Sequence, residues 1–283
     1  MENNPIKEKI VEAISFLQRG EKLALSMNPK YGYYVAFSGG KDSQVLLALV
    51  KLSGVKYRAI YTVTGNDSPE NVYFIRKNYP DVYFSHPKKK FLKLVSEHGL
   101  PTMMRRFCCE RLKEHTGVGC VVLTGVRAQE SAKRAAYSQV MIHSRRKEHQ
   151  GRPRERSVEE IERNQHQCIK GQDRLLMHPI LYWTIDDIKA FFDIYNLPRN
   201  PCYQHTSRVG CMFCPFSSKK ELEYYENAYP LFLKALKKQN QIYFDKCTSP
   251  LLGSADEFYE FWKSKKTVEK FLKDKQQSQL NLN

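Results

Sequence analysis

A mostly parallel α/β sheet with helices on both faces, followed by a smaller helical extension, is the fold class this sequence predicts. Three observations carry that prediction. Short apolar runs alternate with amphipathic ones from residue 33 to residue 123, the pattern of repeated strand–helix units. A glycine turn, Ser38-Gly39-Gly40-Lys41-Asp42-Ser43, stands between the first such strand and its helix. The chain of 283 residues, 41% of them hydrophobic, is long enough for one large α/β domain or a core domain with a small appendage.

Element by element, residues 5–25 read as an amphipathic helix, with Ile6, Ile10, Ala13, Ile14 and Leu17 at helical spacing. The run 33–37 is a short apolar strand, and Gln44 to Leu52 is a helix rich in Leu and Val. Tyr57 to Val63 is the second strand. Ser68-Pro69-Glu70 opens the next helix, with a capping residue and proline at the first helical position. Asp81 to Phe84 is a third strand, Lys88 to His98 a helix, and 121–123 a fourth strand ending at Thr124-Gly125. From Ala128 to Arg174 the pattern breaks, and a basic arm at about 140–172 is dense in charge and poor in apolar residues. The fold resumes over 175–180, and Thr184 caps a helix to about Tyr195. Two more helices are announced by Ser-x-x-Glu boxes at Ser218 and Ser254, and the tail QQSQLNLN reads as frayed. Two domains are expected, 1–200 with the glycine turn and 201–283 with a cysteine loop and terminal helices.

The formal charge of +16 calls for an anionic partner, and a nucleic-acid backbone would use that excess where a small nucleotide would not. No run approaches the ~18 uninterrupted apolar residues of a membrane span, and the amino terminus lacks an apolar leader, so a cytoplasmic protein is expected. Thiols stay reduced there, and clustered cysteines more often bind metal or do chemistry than form disulfides.

In the turn at 38–43, Gly39 and Gly40 let the backbone bend sharply and present N–H groups to an anion. The following helix adds the positive end of its dipole. Lys41 supplies a mobile cation, and Ser38 and Ser43 supply hydroxyl donors. SGGKDS in this position resembles the PP-loop of the adenine nucleotide α-hydrolase superfamily, whose members cleave ATP between the α and β phosphates. Thr64-Gly65 followed by Pro69-Glu70 looks like the DTG…PE segment of its phosphoadenylyl-sulfate (PAPS) reductase branch, with Val63 where that branch has Asp. Gly125-Val126-Arg127-x-x-Glu130-Ser131-x-x-Arg134 is similar to its GxRxxESxxR segment, and His178-Pro179-Ile180-x-x-Trp183 to its HPI-x-x-W stretch. The resemblance covers about residues 30–216. It implies a HUP-type core that binds ATP and Mg2+, with Lys41 on the phosphates and Asp42 near the magnesium. It also implies nucleotide contacts from Thr64, Gly125, Arg127 and Glu130. Arg127 and Arg134 are expected on one side of a helix, facing the phosphates, unless they only pair with Glu130.

The second constellation is Cys202, Cys211 and Cys214, spaced C-x8-C-x2-C, with proline after the last. A fourth ligand would come from the pair Cys108-Cys109. Four thiolates suit zinc or a [4Fe-4S] cluster alike. The segment Cys108-Cys109-Glu110-Arg111-Leu112-Lys113 resembles the C-C-x-x-(R/L)-K motif of iron–sulfur adenylyl-sulfate reductases and of DNA phosphorothioation sulfurtransferases. The triplet spacing is closer to the latter, and the resemblance favours the cluster. The expected function is therefore an adenylating sulfurtransferase acting on nucleic acid, DNA or tRNA, with a cysteine desulfurase as a sulfur donor implied by the resemblance alone. The competing readings are a PAPS or adenylyl-sulfate reductase and a non-catalytic nucleotide-binding adaptor. Such reductases use a carboxyl-terminal Glu-Cys-Gly-x-His segment, which the residues up to QLNLN do not contain.

Overall fold

The computed structural model describes residues 5–113, 116–143, 174–247 and 252–280. Nearly all of the expected basic arm therefore lies outside the described residues. Two compact units are present. One comprises Met1–Thr62, Pro69–Ser85 and His115–Cys202; the other comprises Val63–Ser68, His86–Glu114 and Tyr203–Asn283.

In the first unit, α1 (Pro5–Met27) buries Ile6, Ile10, Ala13, Leu17 and Ala24 along one stripe. The described strands are β1 (Tyr33–Ala36), β2 (Tyr57–Thr62), β3 (Tyr83–Ser85), β4 (Val121–Leu123), β5 (Val140–His143) and β6 (Arg174–Met177). They form one sheet in the order β3-β2-β1-β4-β6-β5, parallel except for the β5–β6 pair. β1 and β4 are apolar throughout because a central parallel strand is covered on both faces. The helices α2 (Lys41–Ser53), α3 (Pro69–Asn78) and α6 (Ile185–Tyr195) belong to this unit; α5 (Ala132–Ala135) is a single turn. α2 stops at Gly54 in the left-handed conformation, φ 71°. The Thr184–Asp187 capping box opens α6 as expected.

β5 is the element that sequence reading passed over, inside the stretch where the pattern was expected to break. Its register sets Val140 against Met177 and Met141 against Leu176, and Val140 and Met141 are buried. Four residues beside a charge-dense segment leave too short an alternation to see.

The second unit contains α4 (Phe91–His98), α7 (Lys219–Ala228), α8 (Pro230–Phe244), α9 (Ala255–Ser264) and α10 (Val268–Leu280). Its core joins Phe91, Leu94, Val95 and Phe107 to Phe213, Leu222, Leu236, Tyr259 and Trp262. Two helices were expected after the cysteine loop at 202–214; α8 and α10 are additional. Pro230 at the first helical position starts α8 where a plain turn would also use proline. The tail, expected to fray, is helical to Leu280. Upstream of that tail, Phe271 packs edge-on to Phe261 at 5.5 Å and Lys275 pairs with Glu257 at 2.5 Å, so the first half of the helix is anchored and its end runs on from it; 281–283 lie outside the described residues.

Candidate functional site

The turn after β1 is held by a lattice of short-range bonds within the sheet unit. Ser43 Oγ donates to the Gly40 carbonyl at 2.8 Å and lies 3.1 Å from Ser38 Oγ. Gly39 has φ +78°, a left-handed backbone that glycine adopts without strain. The Gly39 carbonyl is turned back into the protein, where Gln44 Nε2 donates to it at 3.0 Å and Asn200 Nδ2 at 2.9 Å. Asn71 Nδ2 donates to the Ser38 carbonyl at 3.1 Å. With carbonyls satisfied from behind, the front of the turn is the N-terminus of α2, the natural seat for an anion. That seat stands at the carboxyl end of β1, beside β4. α/β sheets of this kind bind ligands where strand order diverges from a central pair. Gly125 explains itself there: a Cβ on it would meet the Asp42 carbonyl group at 2.9 Å. Only glycine lets the end of β4 approach α2 so closely.

Lys41 Nζ lies 3.3 Å from Asp42 Oδ2, and Arg127 Nε bonds Asp42 Oδ1 at 2.5 Å. Arg127 is buried, its side chain 5% exposed, so Asp42 is the carboxylate that answers a buried guanidinium. The expectation that Arg127 and Arg134 share one helix face is corrected. Arg127 caps a 3-10 turn over Ala128–Glu130, whereas Arg134 belongs to α5, and Ser131 between them is extended. Ser131 accepts from the Arg134 amide and so starts a second helix instead of continuing the first. Arg134 pairs with Glu130, whose carboxylate also accepts from the Arg127 amide at 3.1 Å. His178, at the end of β6, has Nδ1 2.6 Å from Thr124 Oγ1, and its buried Nε2 has no hydrogen-bond partner among the described residues. Burial, with a smaller contribution from Arg134, lowers its pKa to about 4.

Thr64 lies in the second unit, not with the glycine turn. Its amide and hydroxyl both donate to Asp67 Oδ2, at 2.6 and 3.0 Å. That loop clasps the second cysteine segment. Met212 N donates to the Asn66 carbonyl at 2.9 Å, Asn66 Nδ2 donates to Phe213 O at 3.1 Å, and Phe213 N donates to Asn66 Oδ1 at 3.2 Å. A pocket in this unit is lined by Cys108, Cys109, Cys211 and Cys214, with Lys113 and Thr64 among its other walls. Cys109–Lys113 forms a π-helical turn that brings Lys113 Nζ to 3.3 Å from Cys211 Sγ. The Cys108 thiol is pushed up, first by its hydrogen bond with Cys109 and then by burial. Burial also raises Cys211, against the pull of Lys113, whose own pKa is raised chiefly by that thiol.

Four of the five expected cysteines therefore line one pocket. The fifth, Cys202, belongs to the sheet unit, where its amide donates to Asn200 Oδ1 at 3.0 Å and its thiol lies 3.9 Å from Glu70 Oε2. As donors, four thiols suit zinc or an iron–sulfur centre, with Lys113 to offset thiolate charge. Among the described residues no three of His, Cys, Asp or Glu stand close enough to hold an ion, so the fit lies in donor chemistry. Asn66, Asn71, Asn200 and Lys113 were not singled out as site residues from sequence. Lone asparagines carry no pattern, and only Lys113 stands within a motif, the last residue of Cys108–Lys113.

Residues 32–217 match the phosphoadenosine phosphosulfate reductase domain, and the chain belongs to that family. An uncharacterized protein of Methanocaldococcus jannaschii is 27% identical over 210 residues, 69% of this chain and 38% of that protein. The chain thus spans well under half the length of that relative. Adenosine 5'-phosphosulfate reductase 2 of Bacillus subtilis is 22% identical over 203 residues, 66% of this chain and 75% of the reductase. Among solved structures, the U34-tRNA thiolase NcsA of Methanococcus maripaludis with its [4Fe-4S] cluster matches at a TM-score of 0.40 and 11% identity. That match covers 90% of this chain and 82% of the thiolase. A likeness at that level carries no argument about activity. No helix among the described residues is long and apolar enough to cross a membrane.

Proposed function

We propose that this member of the family is an ATP-dependent, adenylating sulfurtransferase that acts on nucleic acid and holds a [4Fe-4S] cluster. The convergence of Cys108, Cys109, Cys211 and Cys214 on one pocket carries this reading, in a chain whose sheet also presents the phosphate-type turn. In it, the amides of Gly39, Gly40 and Lys41 and the start of α2 hold the triphosphate, aided by the Ser38 and Ser43 hydroxyls. Lys41 answers the β and γ phosphates, and Asp42 shares its carboxylate between Arg127 and the Mg2+ shell. Gly125 and Glu130 complete the nucleotide contacts that the family motifs imply within the sheet unit, with Arg134 paired to Glu130 beside them.

An oxygen of the acceptor attacks the α phosphorus, and the bond to the β-phosphate bridging oxygen breaks to release pyrophosphate. The acceptor then carries AMP, a good leaving group, and a sulfur nucleophile displaces it. Cys108, Cys109, Cys211 and Cys214 would supply the thiolates for the cluster. When bound, the cluster would supply a one-electron redox centre whose irons these thiolates cap. A cysteine desulfurase is the proposed sulfur donor.

The test is ATP–pyrophosphate exchange. Exchange lost in Lys41→Ala, with iron and acid-labile sulfide in the anaerobically purified brown protein, supports the reading. Exchange that survives Lys41→Ala removes the turn from the chemistry, and a colourless protein with stoichiometric zinc removes the cluster. Family membership favours one competitor, the reductase. Conversion of phosphoadenylyl or adenylyl sulfate to sulfite with a thiol donor would establish it instead.

A further inference from the structure

The second unit carries a basic, aromatic rim beside the thiol pocket. Met103 to Lys113 contains three arginines and one lysine against a single carboxylate, and 203–220 contains three cations and none. These two segments meet at Phe216, a side chain 45% exposed just after the Cys214-Pro215 pair. The Arg106 guanidinium stands 5.4 Å from the Phe216 ring centroid and that of Arg208 5.8 Å. Both contacts are near the ~6 Å limit of a cation–π pair, so they are loose and exchangeable. Arg208 also reaches Cys214 Sγ at 3.8 Å, so the rim and the thiol pocket share a wall. Met104, next to Arg105 and Arg106, is 97% exposed.

We propose that this rim binds a single strand of nucleic acid, with a base stacked on Phe216 and the flanking phosphates on Arg106 and Arg208. The charge selects a polyanion, and the aromatic face selects among polyanions. A ring can stack only on a base that is not already stacked in a duplex. Guanidinium planes suit the task better than ammonium groups, since they pair with phosphate oxygens and stack as well. An acidic protein surface would use the charge but leave the exposed ring unmatched. The strand would then lie at the mouth of the pocket where sulfur is proposed to be handled. The inference deepens the reading above and rests on its nucleic-acid acceptor.

The experiment is fluorescence anisotropy on the full chain with labelled oligouridylate, oligodeoxythymidylate and a duplex, each of about 12 nucleotides, over a series of salt concentrations. The single strands are expected to bind tighter than the duplex, and the RNA and DNA arms show which sugar is preferred. Phe216→Ala should weaken single-strand binding roughly tenfold and leave the salt slope alone, while Phe216→Trp keeps the affinity. Arg106→Ala and Arg208→Ala should each lower the salt slope by about one. Unchanged melting curves exclude misfolding. The proposal is overturned if Phe216→Ala is neutral, if the duplex binds as well as the strands, or if only an acidic polypeptide binds. Exchange of pyrophosphate, measured on the unmutated chain with tRNA or DNA supplied in excess as acceptor, separates the two ideas. Exchange with rim-independent binding sinks the surface alone; rim-dependent binding without exchange sinks adenylation alone.

Discussion

The glycine turn of the sheet unit and the thiol pocket of the second unit are both polar sites, but they are built in opposite ways. The turn is one contiguous hexapeptide between a strand and a helix, and its backbone groups do the work. The pocket is gathered from four separated parts of the chain, 64–66, Phe91, 108–113 and 211–215, and its side chains do the work. A contiguous site inherits its geometry from the elements it joins. A gathered site needs clasps, and here the clasp is a single asparagine, Asn66, bonded to both the amide and the carbonyl of Phe213. Damage should therefore act differently in the two: through buried charge at the turn and through loop position at the pocket.

The largest effect is expected at the turn. Asp42→Ala leaves the buried Arg127 guanidinium without its 2.5 Å carboxylate partner. Removing one partner of such a pair costs about 3–5 kcal/mol, read as a fall in the midpoint of urea unfolding. The double variant with Arg127→Ala should recover part of that loss. If the single change is neutral in urea, Asp42 is not balancing a buried charge.

His178 comes next. Its folded pKa of about 4 lies below the ordinary value of 6.5. The unfolded chain then binds more protons between those values, and stability falls as pH is lowered through that window. The contribution is complete above about pH 6.5, and its loss is complete below about pH 4. The slope is at most about 1.4 kcal/mol per pH unit. His178→Asn should flatten that part of a pH–stability curve; an unchanged slope would mean the imidazole is hydrated or charged in the native state.

At the pocket, Asn66→Ala removes both side-chain bonds to Phe213. Leaving that buried amide and carbonyl unmatched costs about 1–3 kcal/mol. Its distinguishing sign is chemical: Cys211 and Cys214 should alkylate faster in metal-free protein, while Cys202 in the other unit does not change. Equal acceleration at all three would indicate general loosening instead of a lost clasp.

The same contrast decides what sequence could reveal. The turn, the alternating elements and the parallel sheet were legible because each is local or periodic: glycines at fixed offsets, apolar runs, and Ser or Thr caps followed three residues later by an acid. β5 was hidden by the charged composition around it, and α10 by its polar composition, although Phe271 and Lys275 anchor its first half. At the site, the cysteines were legible as residue types, but not that Cys108 and Cys109 line the pocket together. The division of Arg127 and Arg134 between two turns hung on Ser131, an N-cap where a helix was expected to run on.

The smallest effect should come from a local device that also serves the gathered site. Ser218 caps α7 by accepting from the Glu221 amide, and Glu221 returns the bond to Ser218 N at 2.7 Å. The other Glu221 oxygen accepts from the amide and hydroxyl of Ser207, at 2.8 and 2.9 Å. One carboxylate thus ties the start of the cysteine loop to the helix that follows it. Burial opposes ionisation of Glu221, but these bonds outweigh it and hold the carboxyl below its usual range. Its stabilisation is therefore present above the ordinary glutamate pKa and is lost as pH falls through the lowered one. Ser218→Ala should cost about 1 kcal/mol, as a lost N-cap does. Glu221→Gln should cost at least as much, because it weakens both ends of the tie. If Ser218→Ala proves the costlier of the two, the carboxylate serves only the cap, and the bond to Ser207 adds nothing to the cysteine loop.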